Sequence, residues 1–180
     1  MFYKTIYLSP LGNMMIAGDG KSVSGVWLEG QKYFADTILK DMKEKDDIPV
    51  FIKTKEWLNR YFAGENPSID ELPLAPQGNS FRQAVWKILC EIPYGKTITY
   101  GEIARKIAKQ MNKTSMSAQA VGGAVGHNPV SIIIPCHRVV GAGGNLTGYA
   151  GGIDIKIKLL KLEGVDMSKF YDPSKKSRQC

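Results

Sequence analysis

The chain changes its hydrophobic rhythm near residue 80, and that change limits the folds open to it. Residues 3–29 hold three β-prone runs, 4–8, 14–17 and 23–28, separated by Pro10-Leu11-Gly12-Asn13 and Gly18-Asp19-Gly20. Short apolar runs between turn residues predict a hairpin or meander. From Ser80 onward the spacing is mainly helical. The pattern predicts an α+β protein of two domains: an N-terminal α/β domain over 1–78 (a small β-sheet with helices), a mainly helical domain over 79–168, and a basic tail over 169–180. The length of 180 residues suits one compact domain or two small ones.

Within the first domain, the spacing predicts a helix over 31–43 with Tyr33, Phe34, Ile38 and Leu39 on its apolar side. It predicts another over 51–63, where Trp57, Leu58, Tyr61 and Phe62 recur at helical spacing and Gly64 closes the end. In the second domain Ser80 caps a helix to about Glu91, and Pro93 stops it. Thr99-Tyr100-Gly101-Glu102 matches a capping box and opens a helix with Ile103, Ala104, Ile107 and Ala108 on one face. After the polar stretch 109–116, Ser117 caps a helix of small side chains, among them Ala118, Ala120, Gly122 and Ala124. Two short helices joined by a turn are consistent with a helix-turn-helix, and small residues let a helix approach a phosphate backbone or another helix closely. Gly141–Gly152 reads as a glycine-rich loop containing Tyr149, followed by a helix over 153–163 that Gly164 ends.

Between these elements lies Ile132-Ile133-Ile134-Pro135-Cys136-His137-Arg138, an apolar extended run that delivers a cysteine beside a histidine and an arginine. The thiolate is the nucleophilic form of cysteine, and both neighbours favour it. An inert, packed cysteine would sit more naturally among apolar flanks. Charge adds to the case. Residues 1–80 carry nine Lys/Arg against eleven Asp/Glu, and residues 81–180 carry fifteen against six. The half holding Cys136 is therefore the basic one, which suits a polyanion, nucleic acid first. Three widely spaced cysteines and two histidines give neither a disulfide framework nor a zinc site, so no metal is expected. The amino terminus lacks a signal-peptide pattern and no apolar stretch is long enough to span a bilayer, so a cytoplasmic location and no membrane partner are expected.

Further strings carry a resemblance. They are Phe81-Arg82-Gln83-Ala84-Val85-Trp86, Ile92-Pro93-Tyr94-Gly95-Lys96, Thr99 to Ala104, Ala120-Val121-Gly122-Gly123-Ala124, Asn128-Pro129, Ile134-Pro135-Cys136-His137-Arg138-Val139, Gly148-Tyr149-Ala150-Gly151-Gly152 and Leu162-Glu163-Gly164. Together they resemble the O6-alkylguanine-DNA alkyltransferases over about residues 80–165. Ser9-Pro10-Leu11-Gly12 resembles that family's amino-terminal domain more loosely, which implies a ribonuclease-H-like first domain.

The resemblance implies direct, single-use transfer of an alkyl group from guanine O6, and from thymine O4, in double-stranded DNA to Cys136. It also implies that no cofactor takes part, and a monomer is expected. It implies that His137 draws the thiol proton through a water, that Glu163 orients His137, and that Tyr100 donates to the guanine ring and helps rotate the nucleotide outward. It also implies that Asn128 hinges the recognition helix to the active-site strand. Backbone carbonyls at Cys136 and Val139 would read the exocyclic amine, the Ala150 amide would reach O6, and Tyr149 would wall the pocket. Ala118, Ala120 and Gly122 would face DNA, and Arg138 would brace the two domains. The chain departs from the pattern at Gln119, where relatives carry an arginine that fills the gap left by the extruded base. It also departs in the long turn after Tyr100, where Lys113 stands as a candidate phosphate contact, and at Ser131 and Ala150. Three other readings compete: a module that binds lesions without reacting, a cysteine hydrolase, and a regulator that senses its own alkylation.

Overall fold

A computed structural model describes residues 1–36, 38 and 41–178, the last three by backbone alone; Leu39 and Cys180 lie outside the described residues. The chain is α+β and divides into two compact units, residues 1–79 with 128–134, and residues 80–127 with those from Pro135 onward.

In the first unit, β1 (Phe2–Ser9), β2 (Gly12–Gly18), β3 (Val23–Leu28) and β4 (Met42–Glu44) form one sheet in the order β3-β2-β1-β4. β1 and β4 are parallel and the other pairs antiparallel. The turn residues do what their chemistry allows. Ser9 pairs directly with Gly12 across a two-residue loop, and the Asp19 carboxylate accepts from the amides of Lys21 and Ser22 to reverse the chain into β3. Strand alternation then sorts the side chains. Met14 and Ile16 face one way, with Thr5 and Tyr7 of β1 beside them. On that face lies α1 (Pro49–Phe62), held by the Tyr7 hydroxyl donating to Asn59 Oδ1 at 2.8 Å, by Lys55 Nζ donating to Thr5 Oγ1 at 2.7 Å and by stacked Tyr7 and Phe62 rings. The opposite face holds Met15, Ala17, Trp27 and Ile38, with Phe2, Ala35 and Met42 packed against them. The Trp27 indole lies across Gly25, where any Cβ would fall 1.7 Å from the ring.

Among the described residues of 31–43, the expected helix does not form. Residues 32–36 are turns, with Tyr33 and Ala35 at φ of 60° and 55°, in the left-handed region that a helix excludes. Met42–Glu44 instead adds a strand beside β1, and Ala35, Ile38 and Met42 cover the Trp27 face. Long-range packing outweighed local helical spacing.

The outer edge of β3 is occupied twice. Val23 exchanges hydrogen bonds with Pro73 and Ala75, and Val26 with Pro129 and Ser131, each at 2.8 Å. Covering an edge this way removes the unpaired amides that invite aggregation. This pairing is why residues 128–134 belong to the first unit although the surrounding sequence belongs to the second.

In the second unit, α2 (Ser80–Cys90) buries Val85, Trp86, Ile88 and Leu89, and the Trp86 indole donates to the Ala124 carbonyl at 2.9 Å. The short β5 (Ile98–Thr99) pairs in parallel with β6 (Val139–Val140). α3 (Tyr100–Gln110) opens on a complete capping box, Thr99 with Glu102. α4 (Ala118–Gly126) follows the turn 111–117 and is capped by Ser117. α5 (Ile153–Leu162) packs Leu160 against Val140 and Leu146, with Ile153, Ile157, Val165, Met167 and Phe170 around them. Tyr171 bridges to Asn145, so residues 170–171 of the expected tail are part of this packed unit.

Candidate active site

The apolar run ends differently from the expected strand. Ile132, buried and β-branched, has φ of 72°, a conformation costing on the order of 1–3 kcal/mol. Residues 131–133 turn, and Cys136–Arg138 form one 3-10 turn. Cys136 and His137 thus project from adjacent positions of a tight turn, not from opposite faces of a strand. Asn128 holds the turn from within the first unit. Its amide donates to the Ile134 carbonyl at 2.8 Å, and its oxygen accepts from the Val130 amide at 3.0 Å.

Glu163, at the end of α5, meets the 3-10 turn. Its Oε1 accepts from His137 Nε2 at 2.6 Å and its Oε2 from Arg138 Nε at 2.8 Å and the Gly95 amide at 3.1 Å. Burial alone would raise this carboxyl. Hydrogen bonds and charge from His137 and Arg138 outweigh burial and bring it to about 2. A carboxylate that accepts at Nε2 places the imidazole proton there and the lone pair on Nδ1. Burial, with Arg138 and Lys156 adding to it, keeps His137 below its ordinary 6.5 despite the opposing pull of Glu163. The ring is therefore neutral at pH 7, the form able to accept a proton.

Arg138 donates to Glu163 and, at 2.6 Å, to the Ile92 carbonyl, and lies 5.6 Å from the Tyr94 ring centre. All three lie in the same unit as Arg138. There it fixes the Glu163 carboxylate with two nitrogens.

The sequence reading passed over Lys156. It is fully buried, and its ammonium donates to the carbonyls of Val139 and Thr147. Burial lowers it to about 8, against an upward pull from the Cys136 charge. The signal was its position: on α5, Lys156 shares a face with Ile153, Leu160 and Glu163, so a lysine occupies a core position of the helical repeat.

Tyr100 and Tyr149 also sense the Cys136 charge. Burial and then that charge push Tyr100 up to about 12 and Tyr149 well above its ordinary value. The Tyr100 hydroxyl lies 3.3 Å from the carbonyls of both Thr147 and Gly148. The Tyr149 hydroxyl has no hydrogen-bond partner among the described residues. Tyr100 also lines a cavity of about 600 Å³, with Arg105, Gln119, Gly122, Thr147 and Gly148. Gly122 on α4 faces the Tyr100 ring, and Ala118 and Ala120 are exposed beside Gln119. Ala150 is half-buried in the turn before α5. Cys136 is 5% exposed. Among the described residues no three His, Cys, Asp or Glu side chains converge as metal ligands do.

The unit therefore holds a cysteine next in sequence to a buried His–Glu–Arg network, together with a helix, a turn and a second helix. Comparisons with known proteins give the family. Residues 80–165 match the model for the 6-O-methylguanine DNA methyltransferase DNA binding domain, and residues 2–76 that for its ribonuclease-like domain. A methylated-DNA–protein-cysteine methyltransferase of Haemophilus influenzae is 42% identical over 91% of this chain and 87% of its own length. One from Methanosarcina acetivorans is 45% identical over 90% and 98%. The crystal structure of Mycobacterium tuberculosis O6-methylguanine methyltransferase superposes with a TM-score of 0.76 at 39% identity, covering 98% of this chain and 99% of that one. The complex of that organism's protein with DNA superposes at 0.74, with 40% identity and 94% of each chain covered. The chain belongs to the 6-O-methylguanine DNA methyltransferase family.

Proposed function

We propose that this protein repairs alkylated DNA by moving the alkyl group from guanine O6 to its own Cys136. The single observation that carries this reading is the Glu163–His137 bond beside the cysteine, which leaves a neutral imidazole able to take the thiol proton. Sulfur attacks the saturated carbon, the carbon–O6 bond breaks, and guanine keeps the bonding pair. Guanine takes up one proton at the ring through Tyr100, and the thiol gives one up to His137 through a water; His137 then releases its proton to solvent as Tyr100 is reprotonated, so charge balances overall. The thioether is stable, and each molecule works once.

The remaining residues have roles that fit this step. Lys156 supplies positive charge toward the thiolate. Tyr100, kept protonated, is the donor to the guanine ring. Tyr149 walls the pocket, the Val139 carbonyl reads the exocyclic amine and the Ala150 amide approaches O6. Ala118, Gln119, Ala120 and Gly122 on α4 face the duplex, with Gln119 filling the space of the extruded base, and Asn128 holds the turn that leads to Cys136. Thymine alkylated at O4 offers the same chemistry. The protein works as a monomer in the reducing cytoplasm; no helix among the described residues is long and apolar enough to cross a membrane.

The test is intact-mass analysis after incubation with an oligonucleotide carrying O6-methylguanine. The expected result is a gain of one methyl, mapped to Cys136 and absent in Cys136→Ala. Tight binding of the lesion with an unchanged mass would favour the binding-module reading instead, and ester hydrolysis with turnover would favour a hydrolase.

A further inference from the structure

A second cavity, of about 570 Å³, opens between α3 and the turn 111–117. Its floor is made of small residues on one face of α3, Gly101, Ala104 and Ala108, and its rim carries Arg105, Lys109 and Lys113. These three cations are exposed, and no carboxylate is part of the lining. The position of Lys113 is built in. Asn112 takes φ of 52°, its amide donates to the Lys109 carbonyl at 3.3 Å, and the Lys113 amide donates to the Ala108 carbonyl at 2.9 Å. These two bonds form a Schellman motif, which turns Lys113 back over the last turn of α3.

We infer that this cavity is a clamp for the phosphodiester backbone of DNA, formed by Lys109 and Lys113 together with Arg105. The inference rests on the DNA-repair reading above and adds a contact to it. Two observations favour a nucleic-acid strand over a free nucleotide. The lining holds no aromatic ring on which a base could stack. It also shares Gly101, Arg105 and Ala118 with the cavity at Tyr100, so a strand whose nucleotide enters that cavity passes its neighbouring phosphates across this one. The clamp also accounts for the neutral Gln119 on α4: charge absent from that helix is supplied by the turn before it.

The experiment measures binding of a duplex carrying O6-methylguanine across a salt series, by Lys109→Ala/Lys113→Ala and by Lys113→Glu, each compared with the parent in a Cys136→Ser background. Far-UV circular dichroism checks the fold. Loss of two phosphate contacts should reduce the slope of log affinity against log salt by about 1.8 and weaken binding by roughly tenfold near 0.1 M salt. With Cys136 restored, methyl transfer from the free base O6-methylguanine should be unchanged in both variants. An unchanged slope overturns the clamp, whether or not affinity falls. So does binding of inorganic phosphate or a free nucleotide that needs Lys109 and Lys113 while the DNA slope stays constant. Failure of the underlying repair reading is distinguishable, because the parent itself would then transfer nothing from either substrate.

Discussion

His137 donates from Nε2 to Glu163 at 2.6 Å, and neither side chain is reached by solvent. Arg138 binds the same carboxylate, so removing Glu163's charge leaves a buried guanidinium without its counter-ion. Glu163→Gln should cost about 3–5 kcal/mol, the usual penalty for breaking a buried pair from one side. It should also slow alkyl transfer. Urea unfolding and single-turnover transfer check the two effects.

The same pair sets an acid limit on stability. Glu163 titrates at about 2 when folded, against an ordinary 4.5. Its contribution is fully present above 4.5 and is lost as pH falls toward 2, on the order of 3 kcal/mol in all. His137 acts in the same direction from a higher pH: the unfolded ring protonates near 6.5 while the folded one resists. Unfolding midpoints should therefore fall in two stages, beginning below pH 6.5 and steepening below 4.5. In Glu163→Gln the second stage should shrink.

The depressed His137 value also shapes the reaction. A base with its ordinary value would lose half its capacity at pH 6.5. Here the midpoint lies lower, so more than half of the imidazole is still neutral at pH 6.5. Single-turnover transfer, corrected for DNA binding, should reach its half-maximum on the acid side below pH 6.5.

Lys156 offers an alkaline counterpart. Its folded value of about 8 lies below its ordinary 10.5, so between those limits the unfolded chain holds more protons and stability rises with pH. Tyr100, pushed up to about 12, opposes this above 10. The rise should therefore be clearest from pH 8 to 10 and absent in Lys156→Met. The same variant should transfer alkyl groups at least about tenfold more slowly, because the cation that favours the thiolate is gone. Its DNA affinity should not change.

Gly148 has φ of 88°, and a Cβ there would fall 2.4 Å from the Tyr100 hydroxyl. Gly148→Ala must displace either the loop or the phenol. Transfer from DNA should drop by an order of magnitude or more, and the melting temperature should fall by about 2–4 °C from backbone strain, which single-turnover kinetics and calorimetry measure separately.

Much of the fold was legible because local chemistry and tertiary demand agreed. The turns at Ser9–Gly12 and after Asp19, the Thr99–Glu102 capping box and the Ser117 cap each use side chains that satisfy backbone groups within a few residues. Where tertiary demand ruled, the sequence was silent or misleading. Tyr33 and Ala35 take left-handed conformations because Met42 must reach β1 and the Trp27 face must be covered. Ile132 does the same where an extended run was expected. At the site, Cys136 and His137 stood out by adjacency. Glu163, twenty-six positions away from His137, looked like a helix-end surface residue apart from the family likeness. Lys156 betrayed itself only by falling on the buried face of α5.

Residues 128–134 complete the β3 edge, although their neighbours on both sides belong to the other unit. The polypeptide therefore crosses between units three times in all, and a single cut at 79/80 cannot release two self-sufficient halves. The excised sheet would lose half of its edge cover, and the remaining fragment would carry Val130, Ile132, Ile133 and Ile134 with no strand to shelter them. Linkage along the backbone thus ties the sheet to the candidate site, since Cys136 follows two positions after that borrowed segment.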